Sequence, residues 1–471
     1  MRKSHRFVKN IIYAVGAQVV SLSASLVVSF IAPKFINVTD FAYWQLFLFY
    51  VSYVNISRLG LIDGIYLRLA GKDYEKLDHN LLSVEWIVFT AFQLIVSIIL
   101  FLCVSLSEMD IERKFVYGAC CICIVIINSN NYFSYLLQTT NQTKKYSVSL
   151  IIQNVFWFIA VGIIVIFKIY TYKIIVIMYV MGHVFAGFYL MRYTKEIWHI
   201  KKCSVYKVLL DIRYNIKCGI MLMISLYAGN LVIGSTKIII DRAWGVETFG
   251  YFSFALTLAN FVLTFINQVS LVMFPALKRI PDNKRVDTYL SVRNLLRIAL
   301  PLVLMGYYPI CILVEWWLPK YVNSLVYLTF FLPICTFDGK MQMLCSTFFK
   351  VLRKEKMLMF INVSTMILST IIAFIGSYIV KDVIFVAVGL LFVIAARSIV
   401  SEVILAKIMK ADVKGQLLQE IMLILLYVIL ALILEGYIIF VSYAVCYLIY
   451  LVLNKDNIIP LIKRVSVQNN D

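Results

Sequence analysis

Charge is scarce in this 471-residue sequence: 15% of positions are Asp, Glu, Lys or Arg, against about 25% in soluble globular proteins. Acidic residues are the scarcer sign, 25 against 44 basic, and proline occurs only eight times. Extended polar stretches are missing as well, while 62% of positions are hydrophobic and the mean hydropathy is +0.88. These shortages exclude a soluble globular fold and a large catalytic domain. A bilayer core of about 30 Å needs about 20 apolar helical residues per crossing, so the length allows many spans and little else.

Histidine is also rare, and the four copies, His5, His79, His183 and His199, are scattered. Only His183 falls within an apolar run, where a satisfied polar contact is the simpler reading. The ten cysteines lie mostly inside apolar runs and form no paired framework, so no structural disulfide is expected. Cys120, Cys121 and Cys123 stand close together, yet adjacent thiols on one helix do not converge on a metal and no histidine accompanies them. No metal site and no resident cofactor are expected.

What is abundant is the long apolar run bounded by charge and turn residues. Fourteen candidate spans follow: 11–33, 41–57, 81–106, 115–137, 147–167, 174–191, 218–240, 248–276, 298–317, 323–348, 357–380, 382–405, 418–434 and 436–453. The first run follows Arg2, Lys3, Arg6 and Lys9 but is too long for a secretion signal and has no small-residue cleavage site, so it is expected to remain as a span. With the N-terminus inside, 33 of the 44 basic residues fall on cytoplasmic segments, eight on outer ones, and Lys237, Lys340 and Arg397 within spans. That alternation predicts a multi-pass membrane protein with both ends cytoplasmic. It also accounts for the +19 net charge as topology and contact with anionic lipid, with no nucleic-acid partner needed.

The longest polar insert, 192–217, follows six spans. Sliding the two sides of it against each other gives a match at an offset of 208: PKFINVTDFAYW (33–44) over DRAWGVETFGYF (241–252), pairing Lys34 with Arg242, Val38 with Val246, Phe41 with Phe249 and Tyr43 with Tyr251. Both copies follow the first span of their half. Six intervening spans give the halves the same orientation, hence parallel repeats about an axis near the membrane normal. The expected organisation is an N-terminal lobe (1–193), a cytoplasmic inter-lobe loop (194–217), a C-terminal lobe (218–410) and a C-terminal hairpin with its tail (411–471). The fold class is therefore all-α and polytopic, with two pseudo-symmetric six-helix lobes around a central cavity and an added helix pair. Rocking one lobe against the other is the transport mechanism such an architecture permits.

No energy-coupling motif is present. GIYLRLAGKD (64–73) comes nearest to a phosphate loop, but six residues separate Gly64 from Gly71 where four are needed, and Asp73 replaces the Ser or Thr. No outer loop carries a cluster of histidines or carboxylates, so the chain is not expected to be an enzyme. Ionisable groups inside spans are more informative, because each costs roughly 2.5–3.5 kcal/mol at a helix centre on insertion scales and so faces a cavity or a partner. Arg397 is ten residues from Lys407, about 15 Å from the inner end of its helix and too deep to snorkel. Lys340 sits ten residues before Lys350 in a span interrupted by Pro333 and Gly339, where a kink exposes backbone. Its neighbour Asp338 is two positions away and points elsewhere. Lys237, near an outer end, is read either as snorkelling or as a third cavity cation. Glu85 and Glu402, near inner ends, are read as snorkelling carboxylates. The deep charges thus read as mainly positive and uncompensated, favouring an anionic passenger such as a phosphate, although Arg397 has the second reading of an ion pair with a carboxylate on another helix. Asn128, Asn131, Gln153, Asn154, Asn230, Asn260, Asn267 and Gln268 either line a path for sugar hydroxyls or bond between helices.

The FAYWQLFLFY stretch, the RLGLIDGIYLRLAG segment (58–71), the copy DRAWGVETFGYFSFALTLANF (241–261) and the FPAL turn (274–277) resemble the polysaccharide flippases of bacterial O-antigen and capsule assembly. These belong to the superfamily that also holds lipid II flippases and multidrug and toxin extrusion transporters. The resemblance implies transfer of an undecaprenyl-pyrophosphate-linked oligosaccharide unit, a lipopolysaccharide or capsule precursor, from the inner to the outer leaflet by alternating access. It implies a basic cavity, with Arg397, Lys340 and Lys237 as substrate contacts, and a structural or gating role at the inner mouth for Asp63 and Arg68. Coupling to a proton or sodium gradient is implied too, with Asp338 the one candidate carboxylate. Partners implied are the lipid-linked oligosaccharide, the bilayer, and the polymerase and chain-length proteins of the same pathway. The alternatives are a small-molecule exporter of the same superfamily and a membrane-embedded repeat-unit polymerase, the latter disfavoured by short outer loops.

Overall fold

The computed structural model describes residues 2–69, 72–140, 142–197, 204–278 and 285–454, with side chains from residue 16 onward except over 262 and 265–278 and at Val205, and that of Tyr13. Every ordered element among them is helical. The longer ones are α1 (Arg2–Phe30), α2 (Val38–Val51), α3 (Leu61–Leu69), α4 (His79–Leu106), α5 (Ile111–Thr139), α6 (Thr143–Phe167), α7 (Tyr172–Tyr193), α8 (Val205–Lys278), α9 (Arg285–Leu302), α10 (Tyr307–Trp317), α11 (Leu325–Lys340), α12 (Glu355–Phe374), α13 (Val383–Met409), α14 (Lys414–Ile433) and α15 (Tyr437–Leu453).

Among the described residues ten helices are long and apolar enough to cross a bilayer, and eleven when the bent pair Val38–Arg58 and Leu61–Leu69 counts as one. The fourteen expected runs map onto these, because Tyr206–Phe261 holds two runs and α5 and α15 carry the remaining two. The protein is a multi-pass membrane protein. Caps set many helix starts: Asp78 accepts from the Leu81 amide at 3.1 Å and Asp382 from the Ile384 amide at 2.9 Å. Lys168, Lys381 and Lys410 end α6, the turn after α12 and α13 in the left-handed region, placing cations beside the exposed carbonyl ends.

The chain divides into two compact units, Met1–Tyr227 and Ala228–Asp471. The expected inter-lobe loop over 194–217 is only partly a loop, since α8 begins at Val205 and its first 23 residues belong to the first unit. The reason is local: VYKVLLDIRYNIK spaces apolar and charged residues at helical intervals, so the charge that marks it as polar lies on one side of a helix.

The repeat has a structural counterpart inside each unit. Asn37, extended at φ −74° and ψ 160°, separates a short helix (Ala32–Phe35) from α2. Gly245, 208 positions later, is the non-helical residue of α8 at φ 82° and ψ 179°. The paired residues also share burial: Phe41 and Phe249 are both fully buried, as are Trp44 and Phe252.

In the first unit α5 is central, packing against α2, α3, α4, α6 and α7. The chain between α2 and α3 breaks at Leu59 and Gly60, both in the left-handed region, and bends by 65°. Asn128 of α5 holds this break, its Nδ2 donating to Val54 O, Ser57 Oγ and Gln93 Oε1 at 3.0–3.1 Å. Beyond the break α3 runs against the first turns of α8 at backbone contact. A Cβ on Gly60 would meet Ile220 N at 2.6 Å, and one on Gly64 would meet Asn215 C at 2.6 Å. Gly60 opposite Gly219, Gly64 opposite Asn215 and Arg68 opposite Asp211 step along the two helices one turn at a time in antiparallel register.

In the second unit Pro319–Val351, which contains α11, is the enclosed span: 72% of its apolar window is buried, against 17–39% in the other nine. It packs against α9, α13 and α14. A π-helical stretch, Met341–Ser346, follows Lys340 directly, placing the expected irregularity just after the lysine and not at Pro333, which stays within α11.

The glycine seam carries a test. Gly64→Val should lower folding stability by about 1–3 kcal/mol through overlap with the Asn215 backbone, whereas Gly162→Ala, with nothing within 4 Å of its Cβ position, should change it by less than about 1 kcal/mol. Thermal melting of the purified variants in detergent distinguishes the two, and equal melting points would refute the seam.

Candidate functional site

Four helices of the second unit each place one charged side chain in a closed box. Lys340 Nζ, at the end of α11, lies 2.9 Å from Glu402 Oε2 of α13 and pairs with Glu420 of α14. Arg293 of α9 completes it, with Nε 2.5 Å from Glu402 Oε1 and Nη2 3.4 Å from Glu420 Oε1. Gln416 and the Val413 carbonyl take its remaining donors. All four charged side chains are buried, at 0–6% exposure. Two cations alternate with two carboxylates, so each charge meets two of opposite sign, and the desolvation cost of each is offset by the others.

Beside this box Arg397 pairs with Asp338. The two sets share helices, since Asp338 and Lys340 belong to α11 while Arg397 and Glu402 belong to α13. Arg297, one turn beyond Arg293, is fully buried and donates to Asn454, with the Tyr450 hydroxyl donating to its carbonyl. A small cavity bordered by Arg297, Thr336, Lys340 and Glu420 has an accessible volume of about 10 Å³, space for one water.

The expectation of uncompensated deep cations is thereby corrected. Arg397 and Lys340 both have carboxylate partners, and Asp338 is committed to Arg397 and so is not a free carboxylate. Glu402 and Glu85, expected to snorkel, are both fully buried. Lys237 is half-buried with Nζ 4.8 Å from the centre of the Phe249 ring. Arg293 and Arg297, assigned by composition to a loop, lie on α9. Their signal was present in the sequence, because Tyr289, Arg293, Leu296, Arg297 and Leu300 follow the spacing of one helix face.

The first unit gathers the other predicted residues. Asp63 pairs with Arg58 at 3.2 Å, both buried, and Arg58 also lies 5.5 Å from the Tyr135 ring centre. Arg68 pairs through two hydrogen bonds with Asp211, Nη2 to Oδ2 at 2.7 Å. Glu85 accepts from Asn215 at 2.8 Å. Arg68 also borders a pocket of about 310 Å³ whose other charged walls are Lys72, Lys76 and Asp78. Two of its cations have carboxylate partners, Arg68 with Asp211 and Lys76 with Asp73 at 3.1 Å, and with Lys72 they give a basic wall suited to a phosphorylated group. The polar amides mostly bond between helices: Asn131 donates to Asn55 at 2.7 Å, Asn154 to Ser21 at 2.7 Å and Asn130 to the His183 carbonyl at 2.7 Å. The side chains of Asn267 and Gln268 lie outside the described residues.

The charge box makes a stability prediction. Lys340→Met leaves two buried carboxylates facing one guanidinium and should cost about 3–5 kcal/mol. Combining it with Glu420→Gln removes one charge of each sign and should restore most of that loss in thermal melting; losses that simply add would mean the four do not act as a unit.

Residues 7–281 match the sequence profile of the family described as polysaccharide biosynthesis protein. Among solved structures the chain is similar to the lipid II flippase MurJ in an inward closed conformation, with a TM-score of 0.69 at 13% identity, over 96% of this chain and 100% of that one. It is also similar to an inward-facing multidrug resistance MATE family transporter of the MOP superfamily, with a TM-score of 0.60 at 11% identity, covering 83% and 94% of the two chains. A MOP superfamily transporter from Pyrococcus furiosus aligns with a TM-score of 0.52 at 10% identity over 86% and 97%. No curated protein matches significantly. At these identities the structural likeness establishes the fold, that of the transporters and flippases of this superfamily, while the profile covers more than half of the sequence and fixes the family: the chain belongs to the polysaccharide biosynthesis protein family.

Proposed function

We propose that the protein is a flippase that moves an undecaprenyl-pyrophosphate-linked oligosaccharide unit from the inner to the outer leaflet of a bacterial cytoplasmic membrane, for O-antigen or capsule assembly. The observation that carries this reading is the basic pocket of the first unit. Its volume of about 310 Å³ and its Arg68, Lys72 and Lys76 walls fit a pyrophosphate with its first sugar. The family supports the same pathway, and the fold is shared with a protein described as a lipid II flippase. The distribution of lysine and arginine supports a cytoplasmic side for this pocket and for both termini, where such a precursor is made.

The physical task is to carry a hydrophilic head through hydrocarbon while the polyprenyl tail stays in lipid. Transport by alternating access does this without making or breaking a bond, so no catalytic residue is assigned. Arg397, Lys340 and Lys237 serve in this reading as part of the electrostatic surroundings of the path; first contact with phosphate falls to Lys72, in a pocket that Arg68 and Lys76 also line while paired with Asp211 and Asp73.

In a strain lacking the protein, single lipid-linked units should accumulate on the inner leaflet while surface polymer is lost. Units that reach the outer leaflet unpolymerised would instead identify a polymerase, and unchanged amounts in both leaflets a small-molecule exporter. Restoring the gene with Lys72→Glu and Lys76→Glu together should reduce surface polymer about tenfold or more at normal membrane levels, given the roughly 1.5–3 kcal/mol of a hydrogen bond to a charged group. Wild-type polymer from that variant would remove the pocket from the substrate path.

A further inference from the structure

Glu85 is the one fully buried carboxylate in either charge cluster with no guanidinium or ammonium in direct contact among the described residues. The groups facing it come from three other elements. Arg68 of α3 is committed to Asp211 of α8 through two hydrogen bonds. Asn215, one turn along α8, donates from Nδ2 to Glu85 Oε1 at 2.8 Å and lies 3.4 Å from Asp211 Oδ2. Tyr132 of α5 places its hydroxyl 3.2 Å from Glu85 Oε2 and 3.0 Å from the Leu82 carbonyl of Glu85's own helix. The cluster therefore holds two carboxyl groups, Glu85 and Asp211, for one cation.

Burial without a cation in contact bears on the charge state: an ionised Glu85 meets only two neutral donors, Tyr132 at Oε2 and Asn215 at Oε1. A proton on Oε2 links these groups in one chain: Glu85 O–H donates to the Tyr132 oxygen, Tyr132 donates to Leu82 O, and Asn215 donates to Glu85 Oε1. The same proton brings the net charge of Glu85, Asp211 and Arg68 to zero, with Glu85 fully buried and the Arg68–Asp211 pair partly exposed.

We propose that Glu85 is a proton-binding site, occupied while Arg68 is held by Asp211 and emptied when Arg68 turns to Glu85. One guanidinium neutralises one carboxylate at a time, so movement of the start of α8 relative to α4 decides which acid is protonated; the proton is taken from and returned to water. The inference rests on the transport reading only for its coupling role, where it makes the proton the driving ion and Glu85, not Asp338, its carrier.

Two measurements test it. Infrared spectra of the purified protein in nanodiscs at neutral pH should lose one protonated-carboxyl C=O band in Glu85→Gln, and the band should shift in Tyr132→Phe, which keeps the ring and removes the oxygen. An unchanged band in Glu85→Gln would overturn the proton site whatever the protein transports. In liposomes loaded with a pH-sensitive dye, wild-type protein should move protons when lipid-linked oligosaccharide extracted from the deletion strain is added, and Glu85→Gln should abolish that signal. Loss of the band with an undiminished proton signal would overturn the coupling role, while absence of any signal in the wild type together with loss of the band would uphold the proton site and count against the flippase reading.

Discussion

A charge within hydrocarbon must have a partner, and this requirement organises both units. A lone Arg or Lys at a helix centre costs roughly 2.5–3.5 kcal/mol on insertion scales. The second unit meets the cost by drawing each corner of its box from a different helix: Arg293 from α9, Lys340 from α11, Glu402 from α13 and Glu420 from α14. The partners are 62 to 127 residues apart in sequence. The box therefore acts as a register pin. A helix that slid by one turn would strand a charge, and the cost would far exceed what apolar side chains, equally content against lipid, could impose. The last hairpin is tied in the same way, through Glu420 and through Tyr443, Tyr447 and Tyr450, whose hydroxyls donate to the Pro301, Ile298 and Arg297 carbonyls at 2.8–3.3 Å.

The first unit brings its charges together by a different route, in which backbone packing comes first. Gly60, Gly64 and Gly219 remove the side chains that would keep α3 from the start of α8, and the helices meet at backbone distance. One turn further along the same register Arg68 reaches Asp211. The close approach fixes the ion pair's geometry, and the ion pair in turn holds a contact that has almost no apolar area to stabilise it. The 65° bend at Leu59 and Gly60 is what aims α3 along α8, and the Asn128, Ser57 and Gln93 hydrogen bonds keep the freed backbone groups at the break satisfied.

Local properties were legible in the sequence and pairings were not. Apolar runs located the helices because burial in lipid is a property of each segment by itself. The repeat was legible down to the residue: the offset that aligns Phe41 with Phe249 also aligns the two breaks, Asn37 and Gly245. The partner of a charge is set by tertiary packing, so Arg397 and Lys340 read as bare cations although Asp338, Glu402 and Glu420 await them. The same habit of ending a span at its first charge put Arg293 and Arg297 into a loop and left Glu85 and Glu402 at helix ends. In a protein that buries charge in pairs, a cluster of ionisable residues at helical spacing beside an apolar run is better read as the helix continuing.

The balance of each cluster then separates fixtures from movable parts. In the second unit the ion-paired groups Arg293, Lys340 and Arg397 face Asp338, Glu402 and Glu420, with buried Arg297 beside them donating to Asn454, and any rearrangement that parts the pairs exposes charge of both signs to a medium that solvates neither. Such a set resists motion and suits a rigid body. In the first unit Arg58 and Arg68 face Asp63, Asp211 and Glu85, two against three, so one acid has no cation of its own. In the arrangement proposed for Glu85, such a set exchanges which acid Arg68 neutralises and where a proton sits. Bistability of that kind suits an element that links an ion to a conformational change, and in the proposal for Glu85 the residue that switches, Arg68, also borders the pocket lined by Lys72 and Lys76.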